Sequence, residues 1–157
     1  MEASIRLLDA TKKLVGQKVK KFKWGAGTGS IIKLTFEREN ISNASNFEFQ
    51  RENALLVNCA WRLVFDKSFY SWRDSDVREG ELRKTLDSCL GLEILGVELQ
   101  PKTQDLCLKF KGGLEFQVLC DITNDEEADE NYILYSDVEI LFVDYNVRVN
   151  SEPYDSH

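Results

Sequence analysis

The side chains that could carry acid-base or nucleophilic chemistry are few. The only histidine is His157, the final residue. Imidazole is the commonest general base and the commonest activator of a serine or cysteine nucleophile. A terminal residue in a tail expected to be flexible is a poor place to hold one. Ser-His-Asp, Cys-His and histidine-bearing metal sites are therefore disfavoured. Carboxylates could serve a hydrolase in pairs, with Asp121, Asp125 or Glu126 the candidates, but acids so close together in a charged loop are usually solvated. No catalytic residue, cofactor or metal is assigned, and the expectation is a binding protein rather than an enzyme.

Three other features bear on recognition. Gly25-x-Gly27-x-Gly29 has the glycine density of a phosphate-cradling loop, yet no Gly-Lys-Ser/Thr follows and the next segment is β-branched, so a hairpin turn is the simpler reading. Lys12, Lys13, Lys18, Lys20, Lys21, Lys23 and Lys33, interleaved with Phe22 and Trp24, could contact phosphates and stack bases. In a strand, however, Lys21 and Lys23 point away from the aromatics, as on any solvated face. The tract Asp121-Ile-Thr-Asn-Asp125-Glu126-Glu127-Ala-Asp129-Glu130 lacks the central glycine and the twelfth-position acid of a calcium loop. Its carboxylates could instead steer a basic partner. Asp125, Glu126, Glu127, Asp129 and Glu130 are the candidate partner-binding residues, with Tyr70 and Trp72, in a turn-like stretch after Phe69, as candidate apolar anchors.

These residues must be held by elements that the apolar periodicity outlines. Residues 3–15 read as a helix with Ile5, Leu8, Lys12 and Val15 along one side and Leu7 and Leu14 widening the stripe, stopped by Gly16. Strands follow at 17–24 and 30–37, then a polar loop from Arg38 to Ser45. From Leu55 to Phe65 the odd positions are apolar, which predicts one long strand with a core-facing side. Asp76 and Glu79 make a capping box for a second helix through Leu90, ended by Gly91. Strands at 92–99, 104–111 and 114–121 precede the acidic loop 124–131, and two more at 132–136 and 138–149 close the chain.

The pattern repeats. At a shift of 75 residues, Leu7 falls on Leu82, Val15 on Leu90, Gly16 on Gly91, Val19 on Ile94, Phe22 on Val97 and Trp24 on Leu99. At a shift of 74, Ile32, Leu34 and Phe36 fall on Leu106, Leu108 and Phe110. In both copies the apolar positions after the glycine step by three and then two, which predicts a β-bulge in each. The fold class is therefore α+β: a mainly antiparallel twisted sheet or sandwich with two helices, built from two helix-strand-strand units spanning about 3–65 and 76–149 of a single domain 1–150, with 151–157 a flexible tail.

Composition agrees with a globular chain. Its 157 residues are 43% hydrophobic and 30% charged, enough to remove roughly 70% of the unfolded surface from water. No apolar run reaches the roughly 18 residues of a membrane helix, and the amino terminus lacks the pattern of an export signal. A cytoplasmic location is expected. Cys59, Cys89, Cys107 and Cys120 form no Cys-x-x-Cys pair and read as reduced packing residues. The net charge of −7 conceals a gradient: residues 1–38 carry nine Lys or Arg against three acids, and residues 121–157 carry Arg148 alone against eleven.

The run Val57-Asn-Cys59-Ala-Trp61-Arg62-Leu63, then Ser71 to Asp76, Leu90-Gly91 with Ile94, Asp105-Leu106-x-Leu108-x-Phe110 and Leu114-x-Phe116 resembles small bacterial proteins that include contact-dependent growth inhibition immunity proteins. The resemblance covers about residues 14–135 and rests on scaffold positions. It implies one-to-one neutralisation of a cognate toxin's C-terminal domain, often a nuclease, by covering its active site, and it transfers no binding residue. The alternative is a nucleic-acid-binding adaptor using the amino-terminal lysines.

Overall fold

A computed structural model describes residues 2–24, 31–37, 53–74, 79–123 and 129–154. The elements run α1 (Ala3–Lys12), β1 (Lys18–Trp24), β2 (Ile32–Glu37), β3 (Ala54–Val57), β4 (Ala60–Phe65), β5 (Ser68–Ser71), α2 (Glu79–Cys89), β6 (Ile94–Leu99), β7 (Leu106–Phe110), β8 (Glu115–Leu119), β9 (Glu130–Tyr135), β10 (Glu139–Asp144) and β11 (Val149–Pro153). They form an α+β sandwich of two antiparallel sheets, ordered β1-β2-β3-β9-β10-β11 and β5-β4-β8-β7-β6. The expected hairpin turn at 25–29, the loop 38–45, the Asp76 cap and His157 lie outside the described residues.

The periodicity from Leu55 to Phe65 holds, since Leu55, Val57, Cys59, Trp61 and Leu63 are all buried. The single strand does not. The chain breaks at Asn58–Cys59 and crosses from the first sheet to the second. Alternation reports which side faces the core, and that side is shared by both sheets of a sandwich. Trp61 then stacks on Phe116 at 5.6 Å between centroids, the largest fully buried side chain in the core.

The strand expected at 138–149 is also divided. The Asp144 carboxylate accepts N–H bonds from Asn146 at 3.0 Å and Arg148 at 2.9 Å. That closes a turn in which Val147 takes φ 63°, a conformation β-branched residues rarely adopt. Part of the expected tail, Ser151–Pro153, becomes the end of β11.

The inward face of α1 differs from expectation too. Leu7, Thr11 and Leu14 are buried, while Ile5, Leu8 and Val15 are exposed. Thr11 enters the core because its hydroxyl donates to the Leu8 carbonyl at 2.8 Å, leaving no unpaired polar group. The helix α1 packs on β11 and β6, one strand from each sheet, and α2 packs on β1. Arg6 fixes α1 to the first sheet through Glu139 at 3.0 Å and the Ser151 hydroxyl at 2.6 Å.

The internal repetition extends further than the sequence suggests. Register shifts fall between Val19 and Lys21 in one half and between Ile94 and Gly96 in the other, so both bulges exist at corresponding places. Gly16 and Gly91 have φ of 90° and 83°. Each donates its N–H across to the other half, Gly16 to Ile94 O at 2.8 Å and Gly91 to Val19 O at 3.0 Å. Lys18 bridges Glu93, its own counterpart. Ile32 pairs with Val57 as Leu106 pairs with Val118, and Leu63 pairs with Tyr70 as Leu134 pairs with Leu141.

The two hairpins are exchanged between halves. Val57 stands opposite Tyr132 in the first sheet and Trp61 opposite Val118 in the second, which makes Trp61 and Tyr132 counterparts. Each sheet is thus three strands of one half completed by strands of the other, the β4–β5 hairpin in the second sheet and the β9–β10 hairpin with β11 in the first.

Candidate partner-docking site

The acidic tract occupies the second of the two crossovers, and the first shows what the fold requires there. From Val57 the chain reaches Trp61 in four steps; from Val118 it reaches the corresponding Tyr132 in fourteen. The second crossover carries ten additional residues; the candidate carboxylates Asp125, Glu126, Glu127 and Asp129 fall within it and Glu130 opens β9. The other half makes the same crossing without such a segment.

Of those carboxylates, Asp125, Glu126 and Glu127 lie outside the described residues. Asp129 is exposed and Glu130 half-buried at the start of β9. Both ends of the tract are fastened by Asn131, which is 0% exposed. Its Oδ1 accepts the Asp121 N–H at 2.8 Å, and its Nδ2 donates to the carbonyls of Asp121 at 2.9 Å and Asp144 at 3.0 Å. Its own carbonyl accepts the N–H groups of Asn58 at 2.9 Å and Cys59 at 3.1 Å. One asparagine therefore ties the short crossover, the base of the long one and the end of β10.

Tyr145 completes this end of the molecule. Its N–H donates to Asp129 O at 3.1 Å and its carbonyl accepts from Thr123 at 2.8 Å. Burial first, then the neighbouring Asp121, Asp129 and Glu130 carboxylates, raise its phenol above the usual tyrosine range, so it stays a neutral hydrogen-bonding group among acids. Beside Asp121, Ile122 is 63% exposed. Carboxylates around a half-buried tyrosine and an exposed isoleucine make a surface with steering charge and apolar contact area together, the two ingredients of a protein interface. Among the described residues no three His, Cys, Asp or Glu side chains converge as a metal centre needs, and no helix is long and apolar enough to cross a membrane.

The candidate aromatics are arranged differently. Tyr70 sits opposite Leu63 and stacks with Phe65 at 6.5 Å. The Trp72 N–H donates to Trp61 O at 3.2 Å, and the Arg73 guanidinium lies 5.2 Å from its ring centroid. Both are half-buried and packed against the core, whereas Phe69, just before Tyr70, is 65% exposed. Trp72 lies at the Trp61 end of the second sheet, the end from which β8 leads into the acidic tract, with β4 between.

On the opposite flank, Lys20, Lys21 and Lys23 are exposed while Phe22 and Trp24 pack inward. The Trp24 ring is capped by the Arg83 guanidinium at 4.9 Å. Sequence reasoning missed Asn131, Tyr145 and Ile122 as parts of the site. Asn131 could have been suspected as an amide opening an otherwise apolar strand; Tyr145 gave no local signal. Comparison with family models, with curated proteins and with solved structures finds no match.

Proposed function

We propose that the chain is a cytoplasmic immunity protein that neutralises a cognate toxin domain, of nuclease type, by docking its acidic end over the toxin's active site. The supporting observation is the acidic crossover from Val118 to Tyr132, ten residues longer than its counterpart from Val57 to Trp61. A nuclease groove is basic because it binds phosphate, and a carboxylate cluster can occupy it as phosphate does. Steering by such a surface carries association towards about 10⁸ to 10⁹ M⁻¹s⁻¹ at low salt. Ile122 and Tyr145 supply apolar contact that charge alone lacks.

Co-expression with the toxin domain encoded beside the chain's gene tests this. Growth should be protected by the wild-type chain and lost when Asp125, Glu126, Glu127, Asp129 and Glu130 are replaced together by Asn or Ser. Full protection by that variant would refute docking through the acidic end.

One observation favours the nucleic-acid reading. Lys23 stands directly opposite Lys33 across β1 and β2, a like-charge pair that a sheet avoids unless an anion offsets it, and Lys33 Nζ lies 5.9 Å from the Tyr135 ring centroid. That reading requires salt-sensitive binding of single-stranded oligonucleotides that Lys21→Ala and Lys23→Ala abolish.

A further inference from the structure

Cys59 and Cys120 occupy corresponding positions, each two residues beyond the paired valines Val57 and Val118, and the register brings them face to face. Ala60 stands opposite Leu119, so one further step along the two antiparallel strands sets Cys59 opposite Cys120. Their backbones do not bond to each other. The Cys59 N–H donates to Asn131 O, and the Cys120 N–H to the Asp105 carboxylate at 2.7 Å. Two residues on, Trp61 O turns to β5, accepting from Trp72. This is a non-hydrogen-bonded antiparallel pair, in which Cα atoms stand about 4.5 Å apart. Disulfides form across Cα separations of about 4.4 to 6.8 Å. Both side chains pack with the core, on the side of Trp61 and Val118, where the Cys120 thiol donates to the Gln104 carbonyl at 3.5 Å.

We propose that Cys59 and Cys120 are an oxidative modification site: a low-molecular-weight disulfide converts them to an intramolecular disulfide that fastens the two crossovers together at the foot of the acidic tract. Cys120 is the half-buried partner and Cys59 the buried one, so Cys120 reacts first. It gives its proton to solvent, and its sulfur attacks one sulfur of the oxidant, releasing one small thiolate. Cys59 then gives up its proton and attacks the Cys120 sulfur of the mixed disulfide, releasing the second thiolate. Two protein thiols are oxidised by two electrons and one disulfide is reduced to two thiols. The Cys59 hydrogen bond, burial and the Asp105 carboxylate push the Cys120 thiol up. The reaction is therefore slow at neutral pH and quickens about tenfold per pH unit while the thiolate remains the minor form.

The other cysteines face elsewhere. Cys89 donates to Thr85 O within α2, and Cys107 stands opposite Gln117, where its thiol donates to Glu115.

The test treats the folded full-length chain with cystamine at mildly alkaline pH, blocks remaining thiols with a maleimide after denaturation, and maps the peptides. Two of the four cysteines should escape labelling, a cross-linked peptide should join Cys59 to Cys120, dithiothreitol should reverse it, and the urea midpoint of the oxidised chain should rise. Cys59→Ser should trap the cystamine adduct on Cys120; should that variant not fold, the wild-type map decides alone. Four labelled cysteines, a lasting adduct on wild-type Cys120, a cross-link through Cys89 or Cys107, or an unchanged midpoint would each overturn the proposal.

Discussion

Asn131→Ala isolates the fastening of the acidic tract. The substitution deletes three side-chain hydrogen bonds, of 2.8, 2.9 and 3.0 Å, at a fully buried position. Each contributes about 1 kcal/mol net. The Asp121 N–H and the carbonyls of Asp121 and Asp144 lose their partner, although a water entering the vacated space recovers part of that. The expected loss is roughly 3 kcal/mol. With a urea slope of about 2 kcal/mol per molar, the midpoint should fall by about 1.5 M. The Asn131 carbonyl keeps its bonds to Asn58 and Cys59, so the sheet crossover should survive, and amide exchange should accelerate first at Asp121. Asn131→Asp is the companion. It retains the acceptor for the Asp121 N–H but turns a carboxylate toward two carbonyls, which raises its folded pKa above the unfolded value of about 3.9. A raised carboxyl is least harmful when protonated: the variant should be most stable below about pH 4 and lose stability as pH climbs from there to the folded pKa. A midpoint loss below about 0.5 M for Asn131→Ala, with Asp121 exchange unchanged, would refute the fastening role.

Gly16→Ala and Gly91→Ala should each cost about 1 to 2 kcal/mol in chemical denaturation, and should cost alike, because both glycines hold positive φ with open space around the missing Cβ; a large inequality would argue against equivalent seams. Tyr132→Phe removes the 2.9 Å bond to the Gln104 carbonyl, a loss of about 1 kcal/mol at neutral pH. Burial holds the Tyr132 phenol well above its usual value, so its contribution is complete below the unfolded pKa of about 10 and is lost as pH rises beyond it. The urea midpoint of the wild type should therefore fall more steeply above pH 10 than that of Tyr132→Phe. Separately expressed fragments 1–74 and 75–157 should associate one to one, since each lacks the hairpin that completes its sheet; cooperative unfolding of fragment 1–74 as a monomer would refute the exchange.

What the sequence made legible was local or periodic. The odd-numbered apolar run from Leu55 identified the buried side correctly because burial depends only on side-chain parity. It could not announce the change of sheet at Asn58–Cys59, which is set by pairing to Tyr132 and Val118 far along the chain. Both bulges were legible as a three-then-two spacing. The turn after Asp144 was not, since Val147 and Val149 continued the alternation while the carboxylate of Asp144 closed the turn beneath it. In α1 two stripes competed, and the more hydrophobic one lost. Leu7-Thr11-Leu14 faces inward because a threonine can satisfy itself against the helix backbone, something that counting apolar residues overlooks. The acidic tract was visible in composition, but its base at Asn131 and Tyr145 is made of long-range hydrogen bonds.

A duplicated fold contains its own control experiment. Both halves bury the same three positions, Leu7 and Thr11 of α1 with Leu14 in the turn after it, and Leu82, Leu86 and Cys89 of α2, so those positions answer to packing. Their outward positions diverge without harm to the fold: Ile5 against Gly80, Leu8 against Arg83, Lys12 against Asp87. The bulge residue is Lys20 in one half and exposed Leu95 in the other. Each site shows that the scaffold tolerates either chemistry, so a residue's type there is not fixed by folding. The same reasoning applied to the crossovers is stronger, because there the difference is ten residues rather than one. Two residues suffice to carry the chain between sheets at Asn58–Cys59. Additional chain costs conformational entropy on ordering, and like charges gathered on it repel. The shorter crossover shows that the crossing itself does not demand the longer tract, and on the proposed function the offset to that cost is the basic surface of the partner.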